Sequence, residues 1–102
     1  MSDTLKFEDL KFYEDPSVKG FLRTRVVYDR GYQLSVIKEP GKNYYEIGAY
    51  KNDKLSELPG ITDEGNEVSS FLSPELVSEK LKKMFWASGG GKQEIKNPHE
   101  DW

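Results

Sequence analysis

The chain has one histidine, no cysteine and a single run of consecutive glycines, which ends in lysine, so few residues are able to do chemistry. His99, the usual candidate for a general base near neutral pH, stands beyond three consecutive glycines, a position that rarely preorganises a catalytic group. His99-Glu100-Asp101 could gather round a divalent cation. Three adjacent side chains lack the closed geometry of a dedicated site, however, and no metal and no cofactor is assigned. Ser88-Gly89-Gly90-Gly91-Lys92 superficially suggests a phosphate loop, which needs the pattern G-x-x-x-x-G-K-[ST] between a strand and a following helix. Here Trp86 stands where the first glycine belongs and Gln93 replaces the hydroxyl that would hold magnesium. Paired carboxylates at Glu8-Asp9, Glu14-Asp15 and Asp63-Glu64 would need to face each other across a cleft to hydrolyse a glycoside, which adjacency cannot supply. Asp63 reads instead as the cap of a short turn through Val68, Phe71 and Leu72. No catalytic residue is assigned, and the expectation is a non-enzymatic protein.

What remains is a set of groups suited to binding. Tyr28, Tyr32, Tyr44, Tyr45 and Tyr50 cluster with Arg23 and Arg25 in one stretch of chain. Tyrosine offers large contact area at low entropy cost, and arginine orients on carboxylates, phosphates and rings. Arg23, Arg25, Tyr44 and Tyr50 are the expected binding residues. The alternative is an acidic surface at Asp63, Glu64 and Glu67. Charge is segregated accordingly: residues 16–54 carry eight bases against four acids, a net of +4, while residues 55–72 carry four acids and no base. A basic sheet beside acidic segments is compatible with nucleotide or nucleic-acid binding, although solvated charge on strands is the commoner finding.

The elements that must position these groups are legible from periodicity. Phe21 to Tyr28 alternates, with Leu22, Thr24, Val26 and Tyr28 on one face and Phe21, Arg23, Arg25 and Val27 on the other. Tyr32 to Lys38 repeats the pattern after Asp29-Arg30-Gly31, which predicts a three-residue hairpin with a bulge. A third run, Tyr44 to Tyr50, places Tyr45, Ile47 and Ala49 together, and Lys51-Asn52-Asp53-Lys54 turns into a short fourth run, Leu55 to Leu58. Near the other end, Ser73 is a good N-cap and Pro74 suits the first helical position. Val77, Leu81, Met84 and Phe85 then share one helical face. The expected fold is α+β: a three- to four-stranded antiparallel meander packed by a C-terminal amphipathic helix. Residues 1–87 form the expected single domain, and residues 88–102 a flexible glycine-linked tail whose removal should leave the body folded.

A length of 102 residues suits one small core, and thirteen aromatics (five Phe, six Tyr, two Trp) give it enough apolar surface despite 32% charged residues. The start, Met-Ser-Asp-Thr, lacks the basic and apolar segments of a signal peptide, and no stretch approaches membrane-spanning length. The expected location is cytoplasmic.

The order of motifs, from "LKFEDLKFYEDPSVKG" through "RGYQLSVIKEPGKNYYEIGAY" to "LPGITDEG" and "FLSPELVSEKLKKM", resembles small uncharacterised accessory proteins of tailed bacteriophages. Those carry an "F…P…G" segment, an aromatic "NGY-x-[VL]-S-V" hairpin strand, a "YE-[VI]-x" strand, a "pIT" turn and a closing helix. This chain has Arg30 where asparagine is frequent, and the resemblance stops near Ala87. It implies a protein of the host cytoplasm that binds and inhibits a bacterial host or defence component, as anti-CRISPR and other anti-defence proteins do. The second reading is a module that sequesters a nucleotide or nucleic acid, and a lesser third is a virion or assembly component. The oligomeric state, a dimer included, is left open.

Overall fold

The computed structural model describes residues 4–98. In chain order the elements are a 3-10 turn Phe7–Asp9, β1 (Tyr13–Glu14), β2 (Leu22–Tyr28), β3 (Tyr32–Lys38), β4 (Tyr45–Lys51), β5 (Lys54–Leu55), β6 (Val68–Leu72), α1 (Pro74–Ala87) and β7 (Gln93–Lys96). β2, β3 and β4 form the antiparallel meander that the alternating runs predict. Their register aligns Thr24, Val36 and Ile47 in one row and Val26, Leu34 and Ala49 in the next. All six are buried and form the sheet's contribution to the core. A turn at Asp29–Tyr32, closed by the Tyr32 N–H on the Asp29 carbonyl at 3.2 Å, joins β2 to β3. Arg30 and Gly31 both have positive φ, 61° and 79°. Two left-handed residues thus reverse the chain, and with Val27 opposite Gln33 the connection is the three-residue loop Asp29-Arg30-Gly31 that the sequence predicts.

The helix forms where its signals stand. Ser73 Oγ accepts the Leu76 N–H at 3.3 Å, Pro74 opens the helix, and Val77, Leu81, Met84 and Phe85 are buried. α1 packs on β3, β4 and β6, so it covers the inner face of the sheet. The Tyr28 hydroxyl ties the two layers together by donating to the Leu81 carbonyl at 3.2 Å. Phe7, Phe12 and Tyr45 close one end of the core, with Phe7 edge-on to Tyr45 at 4.9 Å. No helix among the described residues is long and apolar enough to cross a membrane.

The α+β class and the helix on an antiparallel sheet agree with the sequence, but the sheet has seven strands where three or four were expected. Both edges of the meander are capped by pairs of short strands: β1 and β7 lie along β2, and β5 and β6 lie along β4. The fourth run is strand only at Lys54–Leu55, and the next bridge joins Pro59 to Thr62. Val68–Leu72, expected as a capped turn, is strand β6, and Asp63 serves it by accepting the Ser69 hydroxyl at 2.8 Å.

The expectation of a flexible tail also requires correction over the described part. The Gly90 N–H bonds the Phe85 carbonyl at 2.9 Å and the Gly89 N–H the Trp86 carbonyl at 3.1 Å, so the glycines cap the helix. β7 then returns antiparallel along β2, with Val26 opposite Ile95, whose side chain packs against the core. At Gly91, which opens the return, a Cβ would displace the Asp29 carboxylate. That carboxylate accepts the Lys92 N–H at 2.9 Å.

Candidate functional site

Alternation leaves the outer face of the meander with three rows of its own: Arg23, Ile37 and Glu46; Arg25, Ser35 and Gly48; Val27, Gln33 and Tyr50. Among the described residues no helix packs against this face. Ser35 and Gly48 in the middle row are small, which opens a shallow hollow of about 240 Å³ over them, walled by Ile37, Tyr50, Leu55 and Val68. A Cβ at Gly48 would come within 3.3 Å of Leu55 Cδ1, so a larger residue there would press on that wall and fill part of the hollow.

Arg25 lies flat along the hollow rather than standing out of it. Its guanidinium sits 4.4 Å over the Tyr50 ring centroid and Nη1 donates to Gln33 Oε1 at 3.0 Å, leaving the residue 9% exposed. Burial lowers the guanidinium's pKa, with Tyr50 and Asp53 working in the opposite direction. Arg23 is more open. Its Nη2 meets Asp15 at 3.1 Å, and its guanidinium stacks 4.7 Å over Phe21. Two arginines are therefore present, but neither projects freely as a phosphate clamp would, and Glu46 shares the face with them.

A second hollow of about 180 Å³ continues from the first through Ile37 and Glu46 to Tyr44 and Phe71. Phe71 is 74% exposed, and its ring lies 4.6 Å from that of Tyr44. It also has φ of 60°, a left-handed conformation that costs a side chain with Cβ about 1–2 kcal/mol. The cause is a bulge: Tyr45 pairs with Leu72 and Ile47 with Ser69, so Ser70 and Phe71 stand opposite Glu46 alone.

The structure thus brings Arg23, Arg25 and Tyr50 together and puts Tyr44 at the end of the same face. The other tyrosines leave the constellation. Tyr28 is buried, Tyr45 joins the phenylalanine cluster, and Tyr32 packs against the core beneath Lys51 Nζ at 4.0 Å from its ring centroid. Of the acidic alternative, Asp63 is spent on Ser69 and on its loop, while Glu64 and Glu67 are exposed. His99, Glu100 and Asp101 lie outside the described residues. No group of metal-ligating side chains occurs among the described residues. Family models, curated proteins and solved structures offer no match to the chain.

Phe71, Ile37 and Glu46 are the members of the face that sequence reasoning missed. Strict alternation puts Ile37 and Glu46 there, and only the weight given to tyrosine and arginine passed over them. Phe71 had no such signal, since its placement depends on the bulge.

Proposed function

We propose that the chain is a non-catalytic binding protein that engages a protein partner through the outer face of its sheet. The observation that carries this reading is Phe71, held exposed and in a strained backbone conformation against Tyr44. Such strain persists where surrounding structure enforces it and clusters at binding sites. Around it the face offers what protein interfaces use: aromatic anchors, an arginine stacked on tyrosine and a hollow for a partner's side chain. The resemblance to phage accessory proteins makes a bacterial host or defence component the partner sought first, with inhibition as the outcome of binding. Flat Arg25, Asp15-bound Arg23 and Glu46 favour this reading over capture of nucleic acid, which rewards projecting unneutralised cations.

Affinity capture from bacterial lysate tests the proposal. Wild-type chain should retain a stoichiometric protein, and Phe71→Gly or Tyr44→Ser should lose it while Lys82→Ala, on the helix, keeps it. Phe71→Gly should leave stability level or raise it by up to ~1 kcal/mol, since glycine adopts positive φ without strain. Capture indifferent to both face variants would overturn the assignment. Thermal stabilisation by nucleotides, lost in the same variants, would favour the sequestering module.

A further inference from the structure

The outer face has an internal order of charge and size about its middle strand. On the β2 side stand Arg23, Arg25 and Val27, and on the β4 side, in the same rows, Glu46, Gly48 and Tyr50. One step beyond the paired rows, alternation adds Phe21 beside β2 and Tyr44 beside β4. Cation faces anion across Ile37.

Two copies packed face to face are related by a two-fold axis in the plane between them. If the axis crossed the strands, β2 would lie on its own counterpart and arginine would meet arginine. An axis along β3 lays β2 of one copy over β4 of the other. Arg23 then meets the second copy's Glu46, Val27 meets its Tyr50 and Phe21 its Tyr44. Every contact occurs twice, and Ile37 packs on itself at the axis. We infer that this face pairs with a second copy of the chain in an isologous dimer, held by reciprocal Arg23–Glu46 pairs.

The dimensions are suitable. Packed sheets lie about 10 Å apart, a gap that an arginine and a glutamate bridge together. A guanidinium has five N–H donors, and the Asp15 contact is made through Nη2, so a second carboxylate can be received. Five columns of strand and seven residues of length make a patch roughly 24 Å on a side by standard spacings. That is below the ~800 Å² per partner of a stable interface, so the dimer is reversible and concentration-dependent. Glu39 approaches its counterpart at one end of the axis, in an exposed turn beyond β3 where water screens the repulsion.

The inference rests on reading the outer face as a protein-docking surface, and a partner and a second copy compete for it. Sedimentation of the full chain from about 10 µM to about 1 mM should show self-association that weakens with salt. Arg23→Glu or Glu46→Arg alone should weaken it about tenfold or more, because each makes both pairs like-charged. Mixing the two variants should restore association, since every reversed side chain then meets its opposite. A variant that fails to melt cooperatively is replaced by Arg23→Gln or Glu46→Gln, each expected to weaken association severalfold. A wild-type chain monomeric throughout, single variants that associate normally, or a mixture no tighter than its components would each overturn the dimer. Face-dependent capture of a partner by a monomeric chain removes the dimer alone. A dimer sensitive to these charges, with no partner captured through the face, removes the bacterial partner alone.

Discussion

Tyr28 shows how one side chain can look like a binding residue in sequence and be something else in the fold. Its ring is buried in the core and its hydroxyl reaches the Leu81 carbonyl, so the phenol serves the join between sheet and helix. Burial raises its pKa well above the ordinary value, because the charged form would be deprived of water. The folded state therefore holds this proton more tightly than the unfolded chain. The contribution is intact below the unfolded phenol's pKa of about 10 and is lost as pH rises from there towards the folded value. Tyr28→Phe should cost about 1 kcal/mol at neutral pH, mostly the hydrogen bond. It should also remove up to ~1.4 kcal/mol per pH unit from the alkaline slope of stability, measured by urea denaturation between about pH 9 and pH 12. Equal slopes for the two proteins would show that Tyr28 ionises freely in the folded state.

Among the elements, the long strands and the helix were legible because each obeys one period throughout. Arg23, Arg25 and Val27 alternate with Thr24, Val26 and Tyr28 without interruption, and Ser73-Pro74 marks the helix start at the residue where it forms. β6 was missed for a physical reason. Ser69 and Leu72 are both buried although three residues apart, a spacing foreign to a regular strand and produced here by the bulge at Ser70–Phe71. β7 was missed because glycines precede it and Ile95 is its only aliphatic residue, so it depends on β2 for its existence. The glycines are nevertheless specific: Gly90 would place a Cβ 2.9 Å from Trp86 Cζ3, and a Cβ at Gly91 would push the Asp29 carboxylate away from the Lys92 N–H that it accepts. A chain ending at Ser88 should consequently lose about 1–3 kcal/mol, from the burial of Ile95 and the edge of β2. Gly91→Ala should lose a comparable amount, read from thermal melts. Unchanged melting of both would restore the picture of a dispensable tail.

The molecule as a whole is two layers with unequal faces. One face of the sheet is closed by α1, and the other carries charge, aromatic rings and hollows with no helix upon it among the described residues. The candidate site was therefore half legible: period-2 alternation assigned Arg23, Arg25 and Tyr50 to one face, but only the three-dimensional register shows Arg25 lying flat, Glu46 opposite Arg23 and Phe71 at the rim. The same inequality separates stability from binding along a single strand. Val36 points into the core, fully buried, and Ile37 next to it points outward, partly exposed. Val36→Ala should cost about 2–4 kcal/mol, as should Leu81→Ala on the helix that it faces, because both leave cavities in a closed layer. Ile37→Thr keeps the β-branched shape that a strand favours, removes apolar surface from the open face only, and should cost less than ~1 kcal/mol. Its effect should appear instead in association, as weaker partner capture and weaker self-pairing at the axis where it stands. Denaturation and sedimentation of the three variants test the division, and an Ile37→Thr chain that unfolds as easily as Val36→Ala would mean that the outer face is part of the core.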